Sequence, residues 1–180
     1  YSRNNFHFSK KTGLLFEMVK CIQPGVVGIH QPNFMPWLGY FSKIKKSDYF
    51  VLLDNVQYSK NSYINRVQLP IGEQASWMTL SVTKPKLSTL IQDVEIAHNL
   101  FNVKKVIKRI AESYAKAPFF KQVFPVVEKL LSYETNSLSA FNANFISVIC
   151  AELGIRTVIV EVSALVEEKD ENATQRLVSI

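Results

Sequence analysis

At 180 residues, 47% of them hydrophobic, the chain can bury a full core and is most simply one domain. Its net charge of +6 invites a nucleic-acid reading, but the clusters Lys43-Lys45-Lys46 and Lys104-Lys105-Lys108-Arg109 fall in segments of helical apolar spacing without interleaved aromatics, so a small anion is the expected partner rather than nucleic acid. No uncharged apolar run approaches the roughly 18 to 20 residues that span a bilayer, Glu17 breaks the only signal-like stretch at Leu14-Leu15-Phe16, and the two cysteines, Cys21 and Cys150, match no metal-ligand spacing and read as reduced thiols of a cytoplasmic protein.

Taken in chain order, the first apolar run is Val26 to Ile29, which stops at His30-Gln31-Pro32-Asn33; Pro36 then opens an amphipathic segment. A second run, Tyr49 to Leu53, stops at Asp54-Asn55. Strand, polar turn, helix and strand make a βαβ unit over Val26–Leu53, and its crossover sets the two strands parallel with their carboxyl ends on one edge. Arg66 to Val82, with Gly72 in a polar turn, reads as a β-hairpin arm, and Ile91 to Ile96 as one more short strand. A helical middle region follows. Asn102 is a plausible cap for a helix with Val103, Val106, Ile107, Ile110 and Tyr114 on one face. Pro118 is expected to start a second helix marked by Phe119, Val123, Val126, Val127 and Leu130. Ser137 caps a third, which ends at Gly154. Ile155 to Val162 reads as a core strand, Glu167 to Glu171 as a charged turn, and the remainder as the start of a last helix. The expected fold is α/β, with a mainly parallel sheet, a hairpin arm and a helical middle.

Ligand sites of open parallel sheets lie at the carboxyl ends of the strands, so His30 and Asp54, 24 positions apart, are expected at one cleft together with Asn33 and Arg66. His30 suits a general base or phosphate ligand, the alternative being a core histidine. Asn33 either faces the ligand or caps the helix near Pro36, roles that are compatible because a helix N-terminus offers free N–H groups. Trp37 and Tyr40 are ligand or packing residues around Gly39, which permits close approach. Asp54 is a strand-end carboxylate or a turn cap. Lys60 and Arg66 suit an anionic group, Arg66 bidentately, while Gln57 and Asn65 are weaker candidates. There is no phosphate-binding glycine loop, no nucleophile elbow and no metal-ligand spacing among the three histidines, so neither metal nor cofactor is expected.

His30-Gln31-Pro32-Asn33, Pro36-Trp37-Leu38-Gly39-Tyr40-Phe41, Lys43-Ile44, Asp48, Phe50, Asp54, Gln57-Tyr58-Ser59-Lys60 and Asn65-Arg66 together resemble the signature of the WbqC-like protein family. Weaker similarity continues at Trp77-Met78-Thr79-Leu80, Tyr114 to Pro118 and Thr174 to Val178. The resemblance implies one WbqC-like domain over 18–180, with 1–17 a loosely ordered extension and the family's further C-terminal section missing. It also implies a role in bacterial surface-polysaccharide (lipopolysaccharide O-antigen) biosynthesis. The substrate would be a nucleotide-activated amino sugar, and the reaction an acyl or aminoacyl transfer. His30 and Asp54 would then be catalytic, and Gln31, Asn33, Trp37, Tyr40, Gln57, Lys60, Asn65 and Arg66 would bind substrate. The alternative is a non-catalytic nucleotide-sugar-binding or assembly protein.

Overall fold

A computed structural model describes residues 25–71, 74–98 and 103–164. The elements are β1 (Val27–His30), α1 (Leu38–Lys45), β2 (Tyr49–Leu52), β3 (Arg66–Ile71), β4 (Gln74–Thr79), α2 (Val103–Tyr114), α3 (Phe120–Leu131), α4 (Leu138–Glu152) and β5 (Val158–Glu161). The expected α/β architecture is present. Three strands form a parallel sheet in the order β1-β2-β5, and β3 and β4 form a separate antiparallel hairpin.

Strand alternation decides how the sheet is covered. Phe50 and Leu52 point to one face and pack with Tyr40, Phe41 and Ile44 of α1 and with Ala143, Ile146 and Cys150 of α4. Both helices therefore lie over the same face. Gly28 lets this layer close, since a Cβ there would collide with the Ser47 hydroxyl and stand 2.7 Å from the Phe50 ring. Cys150 is ordinary core as the sequence suggested, and burial pushes its thiol up to about 11, leaving it protonated and unreactive at neutral pH. A second core gathers Ile64, Met78, Leu80, Ile91, Leu131 and Phe141 between the hairpin and the helical region.

The α2 face packs as expected, with Ile110 buried and Val103, Val106, Ile107 and Tyr114 against the second core. In α4 the Ser137 hydroxyl accepts from the Ala140 N–H at 3.2 Å, and Gly154 adopts φ +64°, the left-handed C-terminal conformation. Three expectations are corrected. Pro118 does not open α3, which begins at Phe120 and leaves Phe119 and Val123 exposed while Leu130 and Leu131 are buried. Ile91 to Ile96 is not a strand: Ile91–Asp93 forms a 3₁₀ turn, because the Ile91 and Gln92 N–H groups donate to Val56 and Asp54 carbonyls in a neighbouring loop. Ile96 and Glu95 make only isolated bridges, to Val82 and Ser137. Finally, α1 starts at Leu38 behind Trp37, with no side-chain cap, so Asn33 is not its cap. The 1–17 extension, Asn102, the 167–171 turn and the terminal helix lie outside the described residues. No helix among the described residues is long and apolar enough to cross a membrane.

Candidate functional site

The carboxyl edge of the sheet brings three positions into line. His30 pairs with Leu52, and Leu52 with Glu161, so their side chains share the helix-covered face, and Asp54 follows two residues beyond Leu52. His30 closes β1 and is partly exposed. Its Nδ1 lies 3.1 Å from the Gln31 carbonyl oxygen. A carbonyl only accepts, so Nδ1 carries the proton of this bond, and in the neutral imidazole Nε2 is then the acceptor. The Tyr40 hydroxyl donates to the same Gln31 oxygen at 2.9 Å, and its ring meets His30 edge-on at 4.9 Å. Tyr40 is only 1% exposed, and burial raises its pKa far above the usual phenol range despite an opposing contact from the Asn33 backbone. It is a neutral donor inside the protein. Lys43 of α1 donates to the Ile29 carbonyl at 2.6 Å, covering a backbone acceptor on the edge strand.

Asp54 is buried, 1% exposed, and both carboxylate oxygens are engaged. Oδ1 accepts from the Ser163 N–H at 2.9 Å; Oδ2 accepts from the Ser163 hydroxyl at 2.6 Å and the Ser139 hydroxyl at 3.1 Å. The carboxylate thus ties the end of β2 to α4 and to the segment after β5. Glu161 stands beside it, and its pKa is raised first by burial and then by the Asp54 charge.

From His30 a row of rings runs across the surface. His30 and Trp37 centroids are 6.1 Å apart, Trp37 and Tyr63 5.8 Å, and Tyr63 and Trp77 5.8 Å. At the far end the Arg66 guanidinium lies 4.2 Å over the Trp77 ring. Trp37, Tyr63 and Trp77 are 52%, 48% and 44% exposed, an unusual concentration of half-open aromatic faces. Local sequence explains the placement of Trp37 and of the Arg66–Trp77 pair. Gly39 makes room for the Trp37 indole to fold back, since a Cβ there would come within 2.8 Å of Nε1. Hairpin register sets Arg66 opposite Thr79, which makes Trp77 its diagonal neighbour. Arg66 Nε has no hydrogen-bond partner among the described residues, so stacking on Trp77 is what fixes the guanidinium.

Beneath Trp37 and Tyr63 opens a cavity of about 560 Å³, walled by Asn33, Phe34 and Met35 on one side, Val67 and Leu69 on another, and Phe145 and Ile149 of α4. Its two loop walls are joined by the Phe34 N–H, which donates to the Tyr63 carbonyl at 2.9 Å. Asn142 of α4 is fully buried, and its Nδ2 donates to Pro32 at 2.9 Å and Ile64 at 2.8 Å, one carbonyl in each loop.

The remaining expected residues scatter. Asn33 is 4% exposed but lines the cavity. Gln31 contributes its carbonyl to the His30–Tyr40 arrangement. Gln57 donates to the Leu87 carbonyl at 2.5 Å, and Asn65 to the Leu80 carbonyl at 3.1 Å from a buried position, so both brace loops. Lys60 is exposed. Tyr63 and Trp77 were missed as site residues, although Trp77 could have been found by counting hairpin register back from the turn.

These features define an α/β protein with a strand-end histidine, an aromatic row and an apolar pocket on one side. The chain belongs to the WbqC-like protein family, whose sequence profile matches residues 31–180. It is also similar to the "Uncharacterized protein Rv1507c" of Mycobacterium tuberculosis (strain ATCC 25618 / H37Rv), 29% identical over 133 residues, which are 73% of this chain. The chain spans 57% of the length of that relative. No solved structure matches it.

Proposed function

We propose that the chain binds a nucleotide-activated amino sugar and acts in bacterial surface-polysaccharide (O-antigen) biosynthesis, in the cytoplasm, as an acyl or aminoacyl transferase. The observation that carries this reading is the row from His30 through Trp37, Tyr63 and Trp77 to Arg66. Base and sugar rings present flat faces that stack on half-exposed aromatics, and a guanidinium held at one end suits phosphate. Lys60, which is exposed, adds positive charge. At the other end His30 Nε2 has the lone pair a general base needs. The sugar amine attacks the acyl carbonyl carbon; as the N–C bond forms, the bond to the donor's leaving group breaks and that group departs with the electron pair. His30 takes the amine proton and returns it to the leaving group. In this scheme Gln31 and Tyr40 position His30, Asn33 faces the acyl donor from the cavity wall, and Asp54 positions the sheet edge without touching substrate. Gln57 holds the loop that carries Lys60, and Asn65 braces the start of the strand that carries Arg66.

The full engagement of Asp54 favours one alternative, a non-catalytic nucleotide-sugar-binding or assembly protein, because it leaves His30 without that carboxylate as a partner. Calorimetric titration against nucleotide sugars, nucleotides and acyl donors tests both readings. Binding of a nucleotide sugar together with turnover on adding an acyl donor is the expected result. Binding without turnover for any donor selects the alternative, and no binding to any nucleotide sugar overturns both.

A further inference from the structure

The cavity beneath Trp37 and Tyr63 differs in chemistry from the row above it. Among the described residues no charged side chain lines it; the polar side chains on its wall are Asn33, Gln68 and Tyr63. A phosphate or a polyhydroxylated ring placed against this wall would cover mostly apolar surface and meet few polar partners, so the nucleotide and the sugar fit the row above better. Its volume of about 560 Å³ lies within the range of small-molecule pockets. Phe34, Val67, Leu69, Phe145 and Ile149 offer an apolar lining. Trp37 and Tyr63 belong both to this wall and to the row that leads to His30, so a group seated in the cavity has its exit at the row.

We propose that this cavity receives the hydrophobic tail of an acyl group, with the carbonyl carbon left at the mouth on the His30 side. The inference rests on the acyl-transfer reading above and specifies its donor: a medium-chain or aryl acyl group, not acetyl or formyl. A short acyl group would leave most of the cavity unfilled and make few of the available apolar contacts.

Tryptophan fluorescence tests the assignment. The sequence has two tryptophans, so Trp77→Phe leaves Trp37, on the cavity wall, as the sole reporter. Octanoate is the probe and acetate the control of equal charge. The expected result is a saturable change in Trp37 emission with octanoate and none with acetate. Two variants that fill the cavity from different elements, Leu69→Phe and Ile149→Phe, should each weaken octanoate binding at least tenfold while keeping a cooperative melt; one folded variant suffices for the comparison. No saturable response to octanoate overturns the proposal, as does an unchanged response in a folded, filled variant, which would put octanoate elsewhere. Failure here is separable from failure of the broader reading. If the wild-type protein binds a nucleotide sugar by calorimetry but not octanoate, the tail pocket is wrong and the sugar reading survives. If it binds octanoate and no nucleotide sugar, the pocket stands and the sugar reading falls.

Discussion

His30 and Tyr40 converge on a single acceptor: the imidazole Nδ1 and the phenol hydroxyl both donate to the Gln31 carbonyl oxygen, at 3.1 and 2.9 Å. The tyrosine is buried and kept neutral, so it remains a donor through the whole working pH range. Tyr40→Phe deletes one of the two donors and keeps the ring against His30. It should lower unfolding stability by about 0.5–1.5 kcal/mol, the net worth of a neutral hydrogen bond. Urea denaturation measures this, and an unchanged midpoint would remove the bond from the account.

Asp54→Asn should cost more than Ser139→Ala. The carboxylate accepts three hydrogen bonds from a fully buried position, whereas the Ser139 hydroxyl supplies one of them. An amide nitrogen cannot accept, so at least one of the three serine donors loses its acceptor. A loss of about 1.5–3 kcal/mol is expected for Asp54→Asn, the range for hydrogen bonds to a charged group. Parallel denaturant titrations of the two variants decide the order.

Glu161 gives the protein a pH dependence of definite sign. Its folded pKa is raised above the ordinary glutamate value, by burial and then by Asp54. Within the window between the ordinary and the raised value, the native state binds more protons than the unfolded state, so stability falls as pH rises through that window. Below it both states are protonated and this penalty is absent. Glu161→Gln should therefore flatten the decline and stabilise the protein at neutral pH. Thermal melts from pH 4 to 8 provide the check, and a variant less stable than wild type at pH 7.5 would contradict it.

Arg66→Lys should weaken nucleotide-sugar binding by about 1–3 kcal/mol, more than Lys60→Arg does. Lysine keeps the charge but loses the planar fork that stacks on Trp77 at 4.2 Å and is proposed to hold phosphate bidentately. Arginine at position 60 keeps charge and adds donors. Calorimetry of the three proteins with one ligand compares them directly, and equal affinities would make Arg66 a structural residue.

The positive charge should serve a small anion and not a nucleic-acid backbone. Binding to random duplex or single-stranded DNA is expected to be weaker than micromolar at physiological salt. A tight complex whose affinity drops steeply with added salt would mean that several phosphates are engaged.

The elements that periodicity governs were legible. Val27–His30 and Tyr49–Leu52 are mainly apolar strands with polar residues at or just beyond their ends, and α4 carries both its Ser137 cap and its terminal glycine. Ile91 to Ile96 misled because alternation alone cannot reveal that loop carbonyls of Val56 and Asp54 take its first N–H groups. Within the candidate site, His30 and Arg66 were identifiable from local signals, one at a strand end and the other in a motif. The partners of Asp54 were not, since Ser139 and Ser163 lie 85 and 109 residues away and nothing near Asp54 in the chain points to them. Tyr63 falls in the turn-rich stretch before β3, where no hydrophobic period marks which ring faces outward.

Asn142 has a consequence for how a ligand is met. One amide nitrogen clasps the Pro32 and Ile64 carbonyls, and the Phe34–Tyr63 bond adds a second stitch between the same two loops. Neither wall can swing away alone without stranding a buried donor, so the width of the gap is settled during folding. The acyl tail proposed for this cavity would meet a slot whose ordering entropy was lost in folding, and discrimination would rest on shape and length instead of on closure around whatever is present.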